Sequence, residues 1–278
     1  MNVATLASLM MIGSGAAHAV VNAVLKSGSD KMSSRALIDG FSAMILLPAA
    51  FLLPLPAHAW GWLAASGAIH VVYLFALIKA FETADMLTAY PLMRGLAPML
   101  ASVVAVSLFR EPISAAIGVG VACVSVGVMI AAIGRHLDRP ALLWSLLTGA
   151  SIALYTVADA QGVRAAPTAP SYIVWIFLVD GVVIGGLFAL WRGPTFIVSA
   201  RGEWRAGLLA GALGVVSYGL ALFAYRLGDI PRLAALRETS ILFGVLIAIV
   251  FLKERATLPR LISAALIGAG AAVLVASG

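Results

Sequence analysis

Charge is scarce in this chain, and cysteine is nearly absent. Charged residues make up 11% of its 278 residues, against about 25% in a soluble domain. Hydrophobic residues make up 62%. A water-soluble fold with that balance would expose large apolar patches and aggregate, so a soluble globular domain is excluded. The single cysteine, Cys123, lies in an apolar run. It excludes an intrachain disulfide and reads as a small buried hydrophobe. No two of the four histidines stand at ligand spacing and there is no cysteine cluster, so no metal site is expected. No phosphate-cradling glycine loop occurs, and no cofactor is expected.

Long apolar runs fill the chain instead. A membrane-crossing helix needs about 20 mostly apolar residues. Ten segments qualify: 3–25, 33–54, 58–79, 86–108, 113–133, 140–160, 171–191, 205–225, 230–252 and 258–276. The first is read as a retained span rather than a leader, because no positive charge precedes it. The longest gap, from Arg192 to Trp204, holds Pro194 and reads as a loose linker. Membrane barrels need alternating segments of about ten residues, and these runs are continuous. Glycines within the runs predict close helix packing. Pro91 and Pro98 fall inside the fourth segment and predict kinks there.

The net charge is +6. The basic residues sit in the short gaps, which argues for topology rather than nucleic-acid binding. Gaps after odd-numbered segments carry twelve basic residues and the other side four. The richer side marks the cytoplasm, which puts both termini outside.

The chain also repeats itself. Tyr90 to Gly95 aligns with Leu233 to Glu238 at an offset of 143 residues, placing Arg94 on Arg237. The same offset puts Arg110-Glu111 on Lys253-Glu254. A shift of one residue aligns Ala80 to Asp85 with Ala224 to Asp229. Asp39-Gly40 matches Asp180-Gly181, and His18 and Asn22 match Tyr155 and Asp159. Five segments per repeat is odd, so the second copy must enter the membrane from the opposite side. Inverted repeats are a device of secondary transporters, since they give two states of similar energy open to opposite faces.

These features resemble the drug/metabolite transporter superfamily in its ten-span form, built from two EamA-type halves. The resemblance covers essentially the whole chain. It is carried most specifically by His18 to Lys26, Ala89 to Gly95 and Leu236 to Ser240, with Glu111 and Glu254 similar to the acids that follow spans 4 and 9. Two departures stand out: His18 where an aromatic residue, commonly Trp, is frequent, and Asp39 where the family often has Arg. The resemblance implies export or import of amino acids, other metabolites or lipophilic cations, with a branch associated with phosphonate use. It also implies both termini in the cytoplasm, against the charge count.

Charges inside a bilayer cost at least ~2.5 kcal/mol each, so each needs a reason. Arg94 lies about 12 Å into its span and Arg237 about 11 Å into its own. Both come near the midplane of a core about 30 Å thick. A guanidinium presents a planar fork of donors that fits a carboxylate or phosphonate. The competing reading locks each arginine to Asp39, Asp180 or Glu238 as a structural pin, with substrate binding favoured for Arg94 and the two readings level for Arg237. Tyr90 shares a face with Arg94. Candidate cavity residues are Arg94, Arg237, Tyr90, His18, Asn22, Tyr155, Tyr73, Ser217 and Trp175, the last equally able to be packing. Asp180, Asp39, Glu238 and Asp159 are candidates for ion coupling or charge pairing, Asp159 near a span end.

The expectation is an all-α membrane protein of ten transmembrane helices, arranged as two inverted five-helix repeats around a central cavity. Residues 1–136 form the first repeat and 137–278 the second. The function expected is ion-gradient-driven or exchange transport of a small anionic or zwitterionic metabolite, with no enzymatic step. The alternatives are export of lipophilic cations and flipping of an anionic lipid headgroup. Partners would be the substrate, membrane lipids and protons as coupling ion, with no nucleic acid, in a monomer or homodimer. The location expected is the cell membrane, multi-pass, in a bacterium the inner membrane.

Overall fold

In lipid every backbone polar group must be satisfied within the chain, which leaves helices as the economical solution for apolar runs. The computed structural model describes residues 2–27, 31–84, 86–130, 138–250, 253 and 257–278. Among them every regular element is helical and no strand occurs. The order is α1 (Val3–Ser27), α2 (Lys31–Ala50), α3 (Trp60–Thr83), α4 (Met86–Phe109), α5 (Ala115–Ile130), α6 (Arg139–Ala165), α7 (Ala169–Asp180), a π-helical turn (Gly181–Gly185), α8 (Gly186–Arg192), α9 (Pro194–Leu227), α10 (Ile230–Arg237), α11 (Ser240–Val250) and α12 (Leu258–Ala276).

Local chemistry sets several of the starts. Asp138, Thr168 and Asp229 accept from the backbone N–H three residues on, at 3.0, 3.2 and 3.1 Å. Each is followed two residues later by a proline, in the first turn, where its missing N–H costs nothing. Inside the helices, Ser8, Ser42, Ser102, Thr148 and Ser151 donate to the carbonyl four residues back. That satisfies a hydroxyl without exposing it to lipid.

Among the described residues, eight helical stretches are long and apolar enough to cross a membrane: Val3–Val24, Trp60–Thr83, Ala89–Phe109, Arg139–Ala165, Ala169–Arg192, Pro194–Leu227, Ile230–Val250 and Leu258–Ala276. The protein is a multi-pass membrane protein. Helix α5 is apolar but only 16 residues long, and α2 is not among the eight. Large hydrophobic side chains such as Phe51, Leu52, Leu143, Val182 and Leu190 face outward, where acyl chains would solvate them.

The packing pairs elements far apart in sequence. Helix α1 lies along α9 and α3 along α6; α5 packs on α12, α2 on α7 and α4 on α10. The α5–α12 contact is backbone-close: a Cβ on Gly270 would lie 2.9 Å from the Gly120 carbonyl oxygen. Small residues permit that approach, and dispersion holds it.

Three sequence expectations need correction. The stretch expected as a loose linker is helical: Gly193, at φ 55°, turns the chain between α8 and α9, and Arg201 and Arg205 lie on α9. The ninth segment is two helices, because α10 stops at Arg237 and α11 starts at Ser240. The seventh contains the π-helical turn after Asp180. Several basic residues counted as loop charges, Arg35 among them, lie on helices. Asp85 and Glu254, which entered the repeat alignment, lie outside the described residues.

Candidate functional site: a cavity between Arg94 and Arg237

The two aligned arginines meet. Both line one tight cavity with Ala97, Pro98, Ile152, Tyr155, Thr156, Tyr225, Ala234 and Glu238. It has room for about one water molecule. The walls come from α4, α6, α9 and the α10–α11 break.

Backbone irregularity flanks each arginine. Pro98, four residues after Arg94, has no N–H to give to the Arg94 carbonyl, although α4 runs unbroken through Pro91 and Pro98. On the other side, the helix itself breaks after Arg237. There α1 closes in: a Cβ on Gly15 would lie 3.0 Å from Thr239 Oγ1 and 3.1 Å from the Ser240 backbone nitrogen. Only glycine leaves that space free.

The electrostatics differ between the two guanidiniums. Arg94 is buried, its Nε 3.0 Å from Glu238 Oε2, with Nη2 3.5 Å from Ser240 Oγ. Arg237 lies over the Tyr218 ring, with Cζ 4.8 Å from the centroid, a cation–π contact worth about 0.5–2 kcal/mol. Among the described residues it has no ion pair, and its Nε has no hydrogen-bond partner. Glu238 therefore neutralises Arg94 across the cavity and not its own neighbour. Of the two arginines weighed from sequence, Arg94 is the one held by an ion pair, and Arg237 rests on the Tyr218 ring.

The expected acids are bound elsewhere. Asp39 is paired within α2, Arg35 Nε to Asp39 Oδ2 at 2.7 Å. Asp159 is not near a helix end; α6 continues to Ala165 and Asp159 is fully buried. It accepts from Tyr172 Oη at 2.8 Å and from Tyr218 Oη in a short bond. Among the described residues Asp180 pairs with no arginine; its Oδ1 lies 3.8 Å from His70 Nδ1. Neither Asp39 nor Asp180 locks Arg94 or Arg237.

The aromatic candidates divide. Tyr155 lines the cavity and stacks on His70, centroids 4.2 Å apart. Tyr73 stands edge-on to Tyr155 at 5.6 Å. Tyr90, Tyr73 and Tyr155 are among the electrostatic neighbours of Arg94. His18 is half-buried on α1 and feels the charges of Arg94, Arg237 and Arg35. Asn22 is half-buried one turn further along. Ser217 is buried and donates to the Ser14 carbonyl at 2.9 Å, tying α9 to α1. Trp175 meets Trp60 edge-on at 5.0 Å. Neither lines the cavity. Residues missed from sequence are Tyr225 and Thr156 in the wall, and Tyr172 and Arg35 as partners of the buried acids.

At one end a bonded plug crosses the molecule. Arg164 on α6 pairs with buried Glu111 in a short contact and donates to the carbonyls of Tyr225 (2.8 Å) and Gly228 (2.6 Å). Glu111 in turn accepts the Ile230 backbone N–H at 2.6 Å.

A many-helix apolar bundle with two cationic side chains on an internal cavity defines a class, the multi-pass membrane protein. Residues 139–276 match the model of the EamA-like transporter family. The chain belongs to that family of membrane transporters, within the drug/metabolite transporter superfamily. A solved structure described only as "Crystal structure of protein" is similar with a TM-score of 0.73, covering 97% of this chain and 95% of its own, at 20% identity. That similarity is one of fold. No curated protein matches the chain.

Proposed function

We propose that the chain is a secondary transporter of a small anionic or zwitterionic metabolite, such as an amino acid or a phosphonate, held by its acid group at Arg237 with Arg94 opposite. The observation that carries this reading is the shared cavity: two guanidiniums enter it, and one acid, Glu238, lines it. Glu238 is already committed to Arg94. One positive charge is thus left over, on the group whose planar fork suits a carboxylate or phosphonate. An amine on the same ligand would find the phenols of Tyr155 and Tyr225. A lipophilic cation finds less in the cavity itself, where the one acid of the lining, Glu238, is engaged by Arg94.

The pairing of elements supports two inverted five-helix repeats. Exchanging the halves turns the α1–α9 contact into α6–α3, and leaves α2–α7, α4–α10 and α5–α12 as contacts across the exchange. With α2 and α5 counted as crossings the spans number ten. Residues 1–136 and 137–278 are then the two units, and in a bacterium the inner membrane is their place. A tight cavity is the occluded state of such a device, opened to either face in turn.

A thermal-shift screen of the purified protein against carboxylates, amino acids, phosphonates and lipophilic cations tests the substrate class, since a ligand of the folded state raises its apparent stability. Anions or zwitterions stabilise the wild type, and Arg237→Gln removes the response. Stabilisation by cations alone would overturn the reading.

A further inference from the structure

We propose that Asp180 and His70 form a proton-binding site beside the cavity, and that its proton is the ion coupled to transport. The second part rests on the transporter reading; the first does not.

The geometry singles out Asp180. It is about nine-tenths buried and its Oδ1 has no hydrogen-bond partner. Among the described residues no arginine or lysine pairs with it, and the ionisable group in reach is His70, at 3.8 Å, beyond hydrogen-bond distance. The groups around it are Arg35 and Asp39 from α2, His70 and Tyr73 from α3, Asp159 and Tyr155 from α6 and Tyr172 on its own helix. Arg35 and Asp39 cancel each other at 2.7 Å. Asp159 has its two phenols. Asp180 is therefore the anion left without compensation, in a place where an uncompensated charge is costly. One proton removes the excess.

His70 is the titratable neighbour whose charge bears on that proton. Its Nδ1, the ring nitrogen nearest Asp180, lies 3.0 Å from the Ser66 carbonyl oxygen and 3.2 Å from Ser66 Oγ; in the tautomer that donates to the carbonyl, Nε2 is the basic nitrogen. The imidazole face stacks on Tyr155, a wall residue of the cavity, so the charge of the pair is felt where the ligand would sit. The site also lies on the close contact between α2 and α7. Asp180 opens the π-helical turn, and a Cβ on Gly181 would lie 2.4 Å from Ala43 Cβ and 3.1 Å from the Asp39 carbonyl oxygen on α2. A change of charge on Asp180 thus bears on the α2–α7 packing, which must shift if the two units rock.

Infrared spectra of the full purified chain, taken as the buffer is acidified, read the proton directly. The wild type gains a carboxylic-acid carbonyl band that Asp180→Asn removes and Asp180→Glu retains at a shifted frequency. His70→Gln moves the midpoint of that band. Identical acid-dependent spectra in wild type and Asp180→Asn, or an unmoved midpoint in His70→Gln, would overturn the site. Coupling is read in vesicles with whichever anion stabilises the wild type most. Asp180→Asn keeps anion exchange at equal pH and loses at least tenfold of the accumulation driven by a pH gradient. Unchanged accumulation, or loss of exchange as well, would overturn the coupling. If no anion binds while the Asp180 band persists, the substrate reading falls and the proton site stands.

Discussion

Arg94 and Arg237 occupy matched positions in the chain and do unlike work. Arg94 is held by Glu238, which is 3% exposed. Truncating one partner of a buried pair leaves the other as a lone buried charge, at a cost of about 3–5 kcal/mol. Arg94→Gln should therefore lower unfolding stability by that amount, and Arg94→Gln with Glu238→Gln should recover most of it; thermal unfolding in detergent checks both. Arg237→Gln should cost less, about 0.5–2 kcal/mol, because the residue surrenders a cation–π contact and no ion pair. Equal destabilisation by the two single variants would mean that both arginines are pins. The internal repeat made the pair of arginines legible in the sequence. Which of them Glu238 faces was not, because Glu238 adjoins Arg237 in the chain and meets Arg94 only through the packing of α10 on α4. Arg35 was hidden for a different reason: near the start of a span, a basic residue looks the same whether it caps a helix or ends a loop.

At the scale of elements, helices and their order followed from hydropathy, since apolar runs in lipid have little alternative. The interruptions did not. The ninth run carries four polar residues in succession, Arg237 to Ser240, where the helix breaks, yet its apolar flanks complete a spanning length across them. The stretch from Arg192 to Trp204 carries two arginines and a proline, yet the proline sits where it starts α9. The α4–α5 and α9–α10 connections are joined by Glu111, Arg164 and Ile230. Glu111→Ala should strip Arg164 of its partner and Ile230 of its acceptor, and cost about 3 kcal/mol. A smaller loss is expected for Glu111→Gln, whose amide oxygen can still accept from Ile230. A shift in unfolding temperature measures the ranking. No difference between Glu111→Ala and the wild type would remove the plug from the account.

The molecule as a whole is read as two upside-down units around one chamber. Asn2 Nδ2 donates to the Gly278 carbonyl at 3.4 Å, which places the two ends together. Ten crossings require it, and they put the turn at Glu82 on the opposite face. In a Cys123→Ala background, Ser277→Cys and Glu82→Cys should react with a membrane-impermeant thiol reagent from opposite sides of the membrane. Labelling from one side would contradict the ten-span arrangement.

The central claim is that Arg237 receives the acid group of a transported ligand. Counterflow in proteoliposomes tests it most directly, using the carboxylate or phosphonate that best stabilises the wild-type protein. Wild-type vesicles should exchange labelled for unlabelled anion, and Arg237→Gln, at equal insertion, should exchange it at least tenfold more slowly, with Arg237→Lys between them. Exchange by Arg237→Gln at the wild-type rate would contradict the account.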